Sequence, residues 1–312
     1  MKDLREMNNV LKTRELDLCT SCEICLAICP KEAISMECRY GQFLPKIDQN
    51  RCINCKTCLT VCPGIDYDSN RHWKKSITIN DLVGSYLDVY SAHTKDLKIR
   101  NQSASGGLIT SLVIELLQNG EYESAFLLDF DTFRNKPARS KPIHQVKEVI
   151  TASKSKYIPA SVYEIVITLK KEDKKKYIIV GTPCQILGIK KFLKKSHLKK
   201  RNLLFLGLFC DKTLNFNIIR YFEERYKRSG ENLTKIDFRN KESRGWPGDT
   251  KLYFDSGRIR IVNNTERMNL KPYFQLNRCV YCLDKLNKLA DISFGDCYIK
   301  RLEDKLGKSS VI

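Results

Sequence analysis

Cys19, Cys22, Cys25 and Cys29, followed by Pro30, recur 33 residues later as Cys52, Cys55, Cys58 and Cys62, followed by Pro63. Three thiolates at Cys-x-x-Cys-x-x-Cys spacing wrap three corners of an iron–sulfur cubane from one tight turn. The fourth, just ahead of the proline, sits on the following helix and reaches the other cluster. The expected ligation is therefore crossed. Cys19, Cys22, Cys25 and Cys62 take one [4Fe–4S] cluster, and Cys52, Cys55, Cys58 and Cys29 take the other. Structural zinc sites use paired Cys-x-x-Cys units rather than this triplet with Cys-Pro. Repetition on this scale predicts a pseudo-symmetric unit over residues 1–75. So short a segment buries little apolar surface, so its core is mostly inorganic. The pattern implies electron transfer.

The remaining residues exceed what such a unit needs. A chain of 312 residues accommodates about two domains. Hydrophobic residues at 42 % and charged residues at 29 % are those of a globular protein. No window reaches the roughly 18 apolar residues of a membrane span, and the acid-containing start has no secretory apolar core. Fourteen cysteines without an export signal point to a reducing cytoplasm, where thiolates bind metals. The net charge of +19 invites a nucleic-acid reading. No nucleic-acid module accompanies it, however, and each oxidised cubane with its thiolates subtracts about two charges. The lysines concentrate between Lys170 and Arg201, as a solvated face or a docking surface for an acidic coenzyme or redox partner.

Residues 31–37 and 42–48 predict a short β-ribbon carrying Cys38 as an unligated thiol. A polar stretch over 66–76 is the candidate linker. From residue 80 to 312 strands and helices alternate, which predicts an α/β core domain behind a small α+β, bacterial-type 2[4Fe–4S] ferredoxin domain. Strands are expected at 124–130, 177–180 and 203–209. Helices are expected at 108–117, 186–193 and 216–226, and a hairpin over 251–262 turns at Asp255-Ser256-Gly257. The last residues, Ser309 to Ile312, begin a strand and stop. That reads as a domain cut short or as an edge completed by a partner.

Four further cysteines lie in this second domain. Cys184 and Cys210 follow predicted strands, where α/β sheets place their sites, and Cys279 and Cys282 form a Cys-x-x-Cys pair. By spacing alone they form a third cluster, a zinc site or buried thiols. Cys297 reads as packing. Ser103-Ala104-Ser105-Gly106-Gly107 opens a helix, either as an N-cap turn or as a seat for a phosphate or flat ring. No Ser-His-Asp triad, Walker loop or dinucleotide glycine fingerprint occurs, and the four histidines lack ligand spacing.

Several motifs then follow in order: Ser-Ala-Ser-Gly-Gly (103–107), Gly-Thr-Pro-Cys-Gln (181–185), Gly-Leu-Phe-Cys (207–210), Phe-Arg-Asn-Lys with Arg-Gly-Trp (238–246), Cys-x-x-Cys-x-Asp (279–284) and Ala-Asp-Ile-Ser-Phe-Gly-Asp (290–296). Together they resemble the beta-subunit family of coenzyme F420 hydrogenases and dehydrogenases. With the ferredoxin segment in front, the layout is similar to the electron-input subunit of F420H2 dehydrogenase. The resemblance implies a cytoplasmic flavoprotein oxidoreductase. It would pass electrons between reduced coenzyme F420, through hydride transfer to FAD, and [4Fe–4S] clusters serving a redox partner protein or complex.

By the same resemblance Ser103, Ser105, Gly106 and Gly107 contact FAD, with Thr182, Pro183 and Gln185 close by. Cys184, Cys210, Cys279 and Cys282 hold the third cluster. Arg239, Lys241 and Arg244 are charge partners for the acidic coenzyme or the FAD phosphates, and Trp246 either stacks near the ring system or packs. The chain departs from the family pattern at Asp211-Lys212-Thr213-Leu214, where a His-Gly pair is usual, and at Cys297-Tyr298, where Pro-Trp is usual. Two alternatives stay open: a relay subunit without flavin, and a ferredoxin-linked protein of surface-polysaccharide biosynthesis associated with polysaccharide pyruvyl transferases.

Overall fold

The structure, a computed structural model, describes residues 7–65, 82–129, 138–172, 174–198 and 202–312. The linker expected over 66–76 lies outside the described residues.

The amino-terminal unit is built on its cysteine loops. Ser21 and Glu23 in the first loop have φ of 58° and 64°, and their counterparts Asn54 and Lys56 in the second have 51° and 61°. Non-glycine residues rarely accept this left-handed backbone, and such strain concentrates at functional sites. The repeat thus extends from cysteine spacing to backbone conformation. Short helices follow each loop, Ile24–Ile28 and Thr57–Thr60. The ribbon forms as predicted, from β1 (Ile34–Arg39) and β2 (Gln42–Ile47) paired antiparallel, with Cys38 exposed.

The second unit is a mixed α/β structure around an eight-stranded sheet. Its strands are β3 (Tyr90–Ala92), β4 (Ser124–Asp129), β5 (Ala138–Ile143), β6 (Ala160–Ser161), β7 (Tyr177–Gly181), β8 (Leu203–Leu208), β12 (Ile292–Asp296) and β13 (Ser309–Val311). Their order is β3-β13-β12-β8-β7-β4-β5-β6, and β12, β8, β7 and β4 run parallel. The central strands Tyr-Ile-Ile-Val-Gly and Leu-Leu-Phe-Leu-Gly-Leu are nearly continuous apolar runs, as strands covered on both faces require. A second, antiparallel sheet joins β9 (Leu233–Asn240), β10 (Asp249–Phe254) and β11 (Ile259–Val262), with β10 in the middle.

Two expectations change. The helix predicted from residue 186 begins at Pro183 and runs to Lys195, because Pro at the first position and the Gln185 side chain, which accepts the Thr182 N–H at 2.9 Å, start it earlier. Cys184 therefore lies in the first helical turn. The carboxyl-terminal strand is also not an edge: β13 lies between β12 and β3, antiparallel to both, so its backbone is paired on each side within the chain.

The two units share one core. Ile24, Ala27 and Val61 pack with Ile165, Val166, Ile186, Ile189 and Phe192. Ile24 and Val61 are fully buried, and at roughly 1.5–3 kcal/mol per side chain this contact fixes the first unit on the second. Helix Pro183–Lys195 approaches so closely that a Cβ on Gly188 would stand 2.5 Å from Ile24 Cδ1 and 3.4 Å from Pro63. Among the described residues no helix is long and apolar enough to cross a membrane.

Candidate iron–sulfur centres and a buried basic cluster

The eight amino-terminal cysteines divide between two cavities. Cys19, Cys22, Cys25 and Cys62 line one, and Cys29, Cys52, Cys55 and Cys58 line the other. These are the two sets that the spacing pairs crosswise. All fourteen cysteines are free thiols. Burial pushes Cys19 up to about 12 and Cys58 up to about 11, and the neighbouring thiols push in the same direction. Such a group is unfavourable as bare thiolates and becomes favourable with cationic iron. Among the described residues, no His, Cys, Asp or Glu set is drawn together closely enough to chelate a single ion. Thiols around a cavity suit a cubane better than a tetrahedral zinc site, whose sulfurs sit ~2.3 Å from one ion. Ser21 N–H already points at Cys19 Sγ (3.4 Å), and Ala33 N–H at Cys29 Sγ (3.4 Å).

The structure brings the other four cysteines together from three places. Burial and the nearby sulfurs of Cys184, Cys279 and Cys282 raise the Cys210 thiol well above its ordinary value. Cys184 is pushed up to about 11, first by burial and then by Cys279 and Cys282 among its neighbours. Asn287, fully buried, gathers them: its Nδ2 donates to the carbonyls of Gly181 (2.8 Å) and Leu208 (3.2 Å), at the ends of β7 and β8. Cys210 N–H donates to the Lys285 carbonyl (2.9 Å), and Thr213 N–H points at Cys279 Sγ (3.3 Å). Asn287 and Lys285 lie just beyond the Cys-x-x-Cys-x-Asp motif. Nothing local marked them.

Two cations span from this quartet to the amino-terminal unit. Arg278, the residue before Cys279, donates to the Pro63 carbonyl at 3.4 Å. Lys191 donates to the carbonyls of Cys62 and Ile65, both at 3.1 Å. The loop of Cys62 is therefore held against the α/β unit, whereas Cys55 is exposed.

The residues expected at FAD are placed as follows. Ser103 Oγ donates to the Ile99 carbonyl (2.8 Å), and Ser105 Oγ donates to that of Lys308 (2.6 Å). Gly106 N–H donates to Ser309 Oγ (3.2 Å), and a Cβ there would stand 2.8 Å from Ser309 N. Gly107, at φ 77°, caps helix Leu108–Gln118. Thr182, Pro183 and Gln185 start the helix carrying Cys184. Lys241 Nζ donates to the carbonyls of Arg100, Ser105 (3.1 Å) and Leu306 (2.6 Å). Arg239 makes a fork to Asp296, at 2.7 and 3.0 Å, and Trp246 Nε1 donates to the same carboxylate at 2.9 Å. Arg244 is exposed.

Around this turn the buried charge is positive in excess. Burial, then Arg239, Arg100 and Lys154, push Lys241 down to about 8, and burial pushes Lys156 down to about 8. Arg267, 2 % exposed, stands 4.9 Å above the Tyr157 ring, and among the described residues no hydrogen bond within ordinary geometry reaches its Nε or Nη1. Among the described residues the acids facing these cations include Asp237, paired with Lys154, Asp296, paired with Arg239, Asp304, 2.8 Å from Arg100, and Asp129, near Lys156. A cluster of this kind fits a dinucleotide's diphosphate. Arg267 and Lys156 carried no motif, and only the fold draws them in.

Comparison with known proteins matches three segments of the chain. Residues 174–312 match the carboxyl-terminal model, and residues 89–167 the amino-terminal model, of the coenzyme F420 hydrogenase/dehydrogenase beta subunit. Residues 18–64 match a 4Fe–4S dicluster domain. Coenzyme F420 hydrogenase subunit beta of Methanococcus voltae is 24 % identical over 218 residues, 68 % of this chain and 73 % of that protein. Coenzyme F420-dependent sulfite reductase of Methanocaldococcus jannaschii is 22 % identical over 211 residues, covering 62 % of this chain and 31 % of that protein. An uncharacterised protein of Nostoc is 25 % identical over 197 residues, 61 % of this chain and 46 % of that one. The chain thus spans less than half the length of these last two relatives. A chain of the solved F420-reducing [NiFe] hydrogenase complex of Methanosarcina barkeri has a similar fold, with a TM-score of 0.52 at 20 % identity over 74 % of this chain and 75 % of that one. With both family models covering the α/β unit in sequence order, the chain belongs to the coenzyme F420 hydrogenase/dehydrogenase beta-subunit family.

Proposed function

We propose that this chain is the electron-input subunit of a coenzyme F420-linked oxidoreductase, a flavoprotein that exchanges a hydride with the coenzyme and single electrons with a partner protein. One observation carries the reading. The quartet Cys184, Cys210, Cys279 and Cys282 stands at the strand ends of the α/β unit, and the residue preceding Cys279 touches the residue following Cys62. That contact supports an order in which electrons pass from the α/β quartet to the set of Cys19, Cys22, Cys25 and Cys62 and then to the set of Cys29, Cys52, Cys55 and Cys58.

When bound, FAD supplies two-electron hydride chemistry and each cubane supplies one-electron transfer. The chain's own residues position both. Asn287 holds the two strand ends that carry Cys184 and Cys210. Arg278 and Lys191 hold the two units in register. Arg267 offers charge for the FAD diphosphate, while Lys241 and Arg239 brace the turn of Ser103 to Gly107 and the end of β12.

Metal and flavin analysis of the anaerobically reconstituted protein tests the reading. Twelve ligand cysteines predict about twelve irons per chain, and about one FAD accompanies them. Full iron without flavin binding would reduce the chain to a relay. Iron for two clusters only would remove the quartet from that order.

A further inference from the structure

The two amino-terminal cavities differ in their walls. The cavity of Cys19, Cys22, Cys25 and Cys62 includes Glu23 and Pro63 and is backed by the α/β unit. That of Cys29, Cys52, Cys55 and Cys58 is lined by Lys31 and Lys56 and by no acid among the described residues. Cys55, Lys31 and Lys56 are exposed there, and Ile53 is 58 % exposed beside them. Of the nearby acids, Glu32 lies 3.5 Å from Arg51.

We propose that this face is where a second protein docks to exchange electrons, and that the partner is a small acidic electron carrier. The inference rests on the functional reading above and names the partner of its outer thiol set. Like charges repel an encounter over a Debye length of about 10 Å at 0.1 M salt, and opposite charges steer it. Lys31 and Lys56 flank an apolar contact at Ile53, and among the described residues no carboxylate lines the cavity, so a protein with carboxylates around its own redox centre is attracted to this face. Cys22 of the inner set is instead buried in the core shared with the α/β unit.

The test uses the reconstituted full chain and an acidic 2[4Fe–4S] ferredoxin as the probe. Electron exchange is followed by stopped-flow absorbance at 50 and 500 mM NaCl, for the natural protein and for Lys31→Glu/Lys56→Glu. The expected result is a fall of about tenfold or more in the second-order rate, both with added salt and with the double substitution. Lys98→Glu/Lys141→Glu, far from this face, leaves the rate unchanged. Iron content and full bleaching by titanium(III) citrate establish that each variant is loaded. Exchange indifferent to salt and to Lys31→Glu/Lys56→Glu in fully loaded protein would overturn the docking face alone. A chain that takes up no iron would overturn the cluster reading and the face with it.

Discussion

Arg278 reaches the carbonyl of Pro63 at 3.4 Å, so the residue before Cys279 touches the residue after Cys62. Arg278 is 5 % exposed, and its removal leaves a buried carbonyl short of a donor, at about 1–3 kcal/mol. Arg278→Ala is expected to lower the melting midpoint of the loaded protein by several degrees. It should also weaken the magnetic interaction between the reduced quartet cluster and its neighbour, read by electron paramagnetic resonance. Unchanged spectra would remove Arg278 from the junction.

The crossed division of cysteines separates two double variants. Cys19→Ala/Cys62→Ala removes two ligands of one set, so iron should fall from about twelve to about eight per chain. Cys19→Ala/Cys29→Ala damages both sets, and iron should fall to about four. The reverse ranking would mean that each motif closes its own cluster.

Gly188 tests the contact between the units. Gly188→Leu drives a side chain into Ile24 and Pro63, and overpacking of this kind costs about 1–3 kcal/mol. The loaded protein should melt earlier, and electrons should pass between the quartet and the ferredoxin unit more slowly in rapid-freeze spectra. An unchanged melting midpoint would show that the units separate freely.

Lys241 predicts a pH dependence. Burial and its cationic neighbours push it down to about 8, and a bound diphosphate would raise it again. Below pH 8 both forms carry the proton, so FAD affinity is level. Above pH 8 the free protein loses the proton first, and affinity falls until the raised value of the bound form is passed. Flavin fluorescence titrations at pH 7 and pH 9 measure the difference. Equal affinities would place Lys241 outside the field of the flavin.

These predictions separate what the sequence reveals from what only the fold does. The two amino-terminal sets were legible because their ligands are close in sequence and the loop winding is local, down to the matched left-handed residues Ser21 with Asn54 and Glu23 with Lys56. The β-ribbon, the central strands and the hairpin were legible from apolar runs and turn residues. Cys184 and Cys210 were visible only as strand ends. Their approach to Cys279 depends on Asn287, a residue with no motif of its own. The Ser103–Gly107 turn shows the opposite case. Its small residues read as an N-cap turn or a ligand seat, and the fold also sets them against Ser309 and Lys308, a contact between distant segments that leaves no local pattern. β13 looked like an edge because its two neighbours, β12 and β3, lie far apart in the chain. The link from Arg278 to Pro63 joins residues 215 positions apart and leaves no pattern.

The most direct test of the central claim is an anaerobic titration of the FAD-loaded, cluster-reconstituted protein with reduced coenzyme F420, followed by flavin and cluster absorbance. The account predicts rapid bleaching of the flavin, with bleaching of the clusters following as reductant is added. Clusters and flavin that stay oxidised with the deazaflavin, yet bleach fully with reduced ferredoxin, would contradict it.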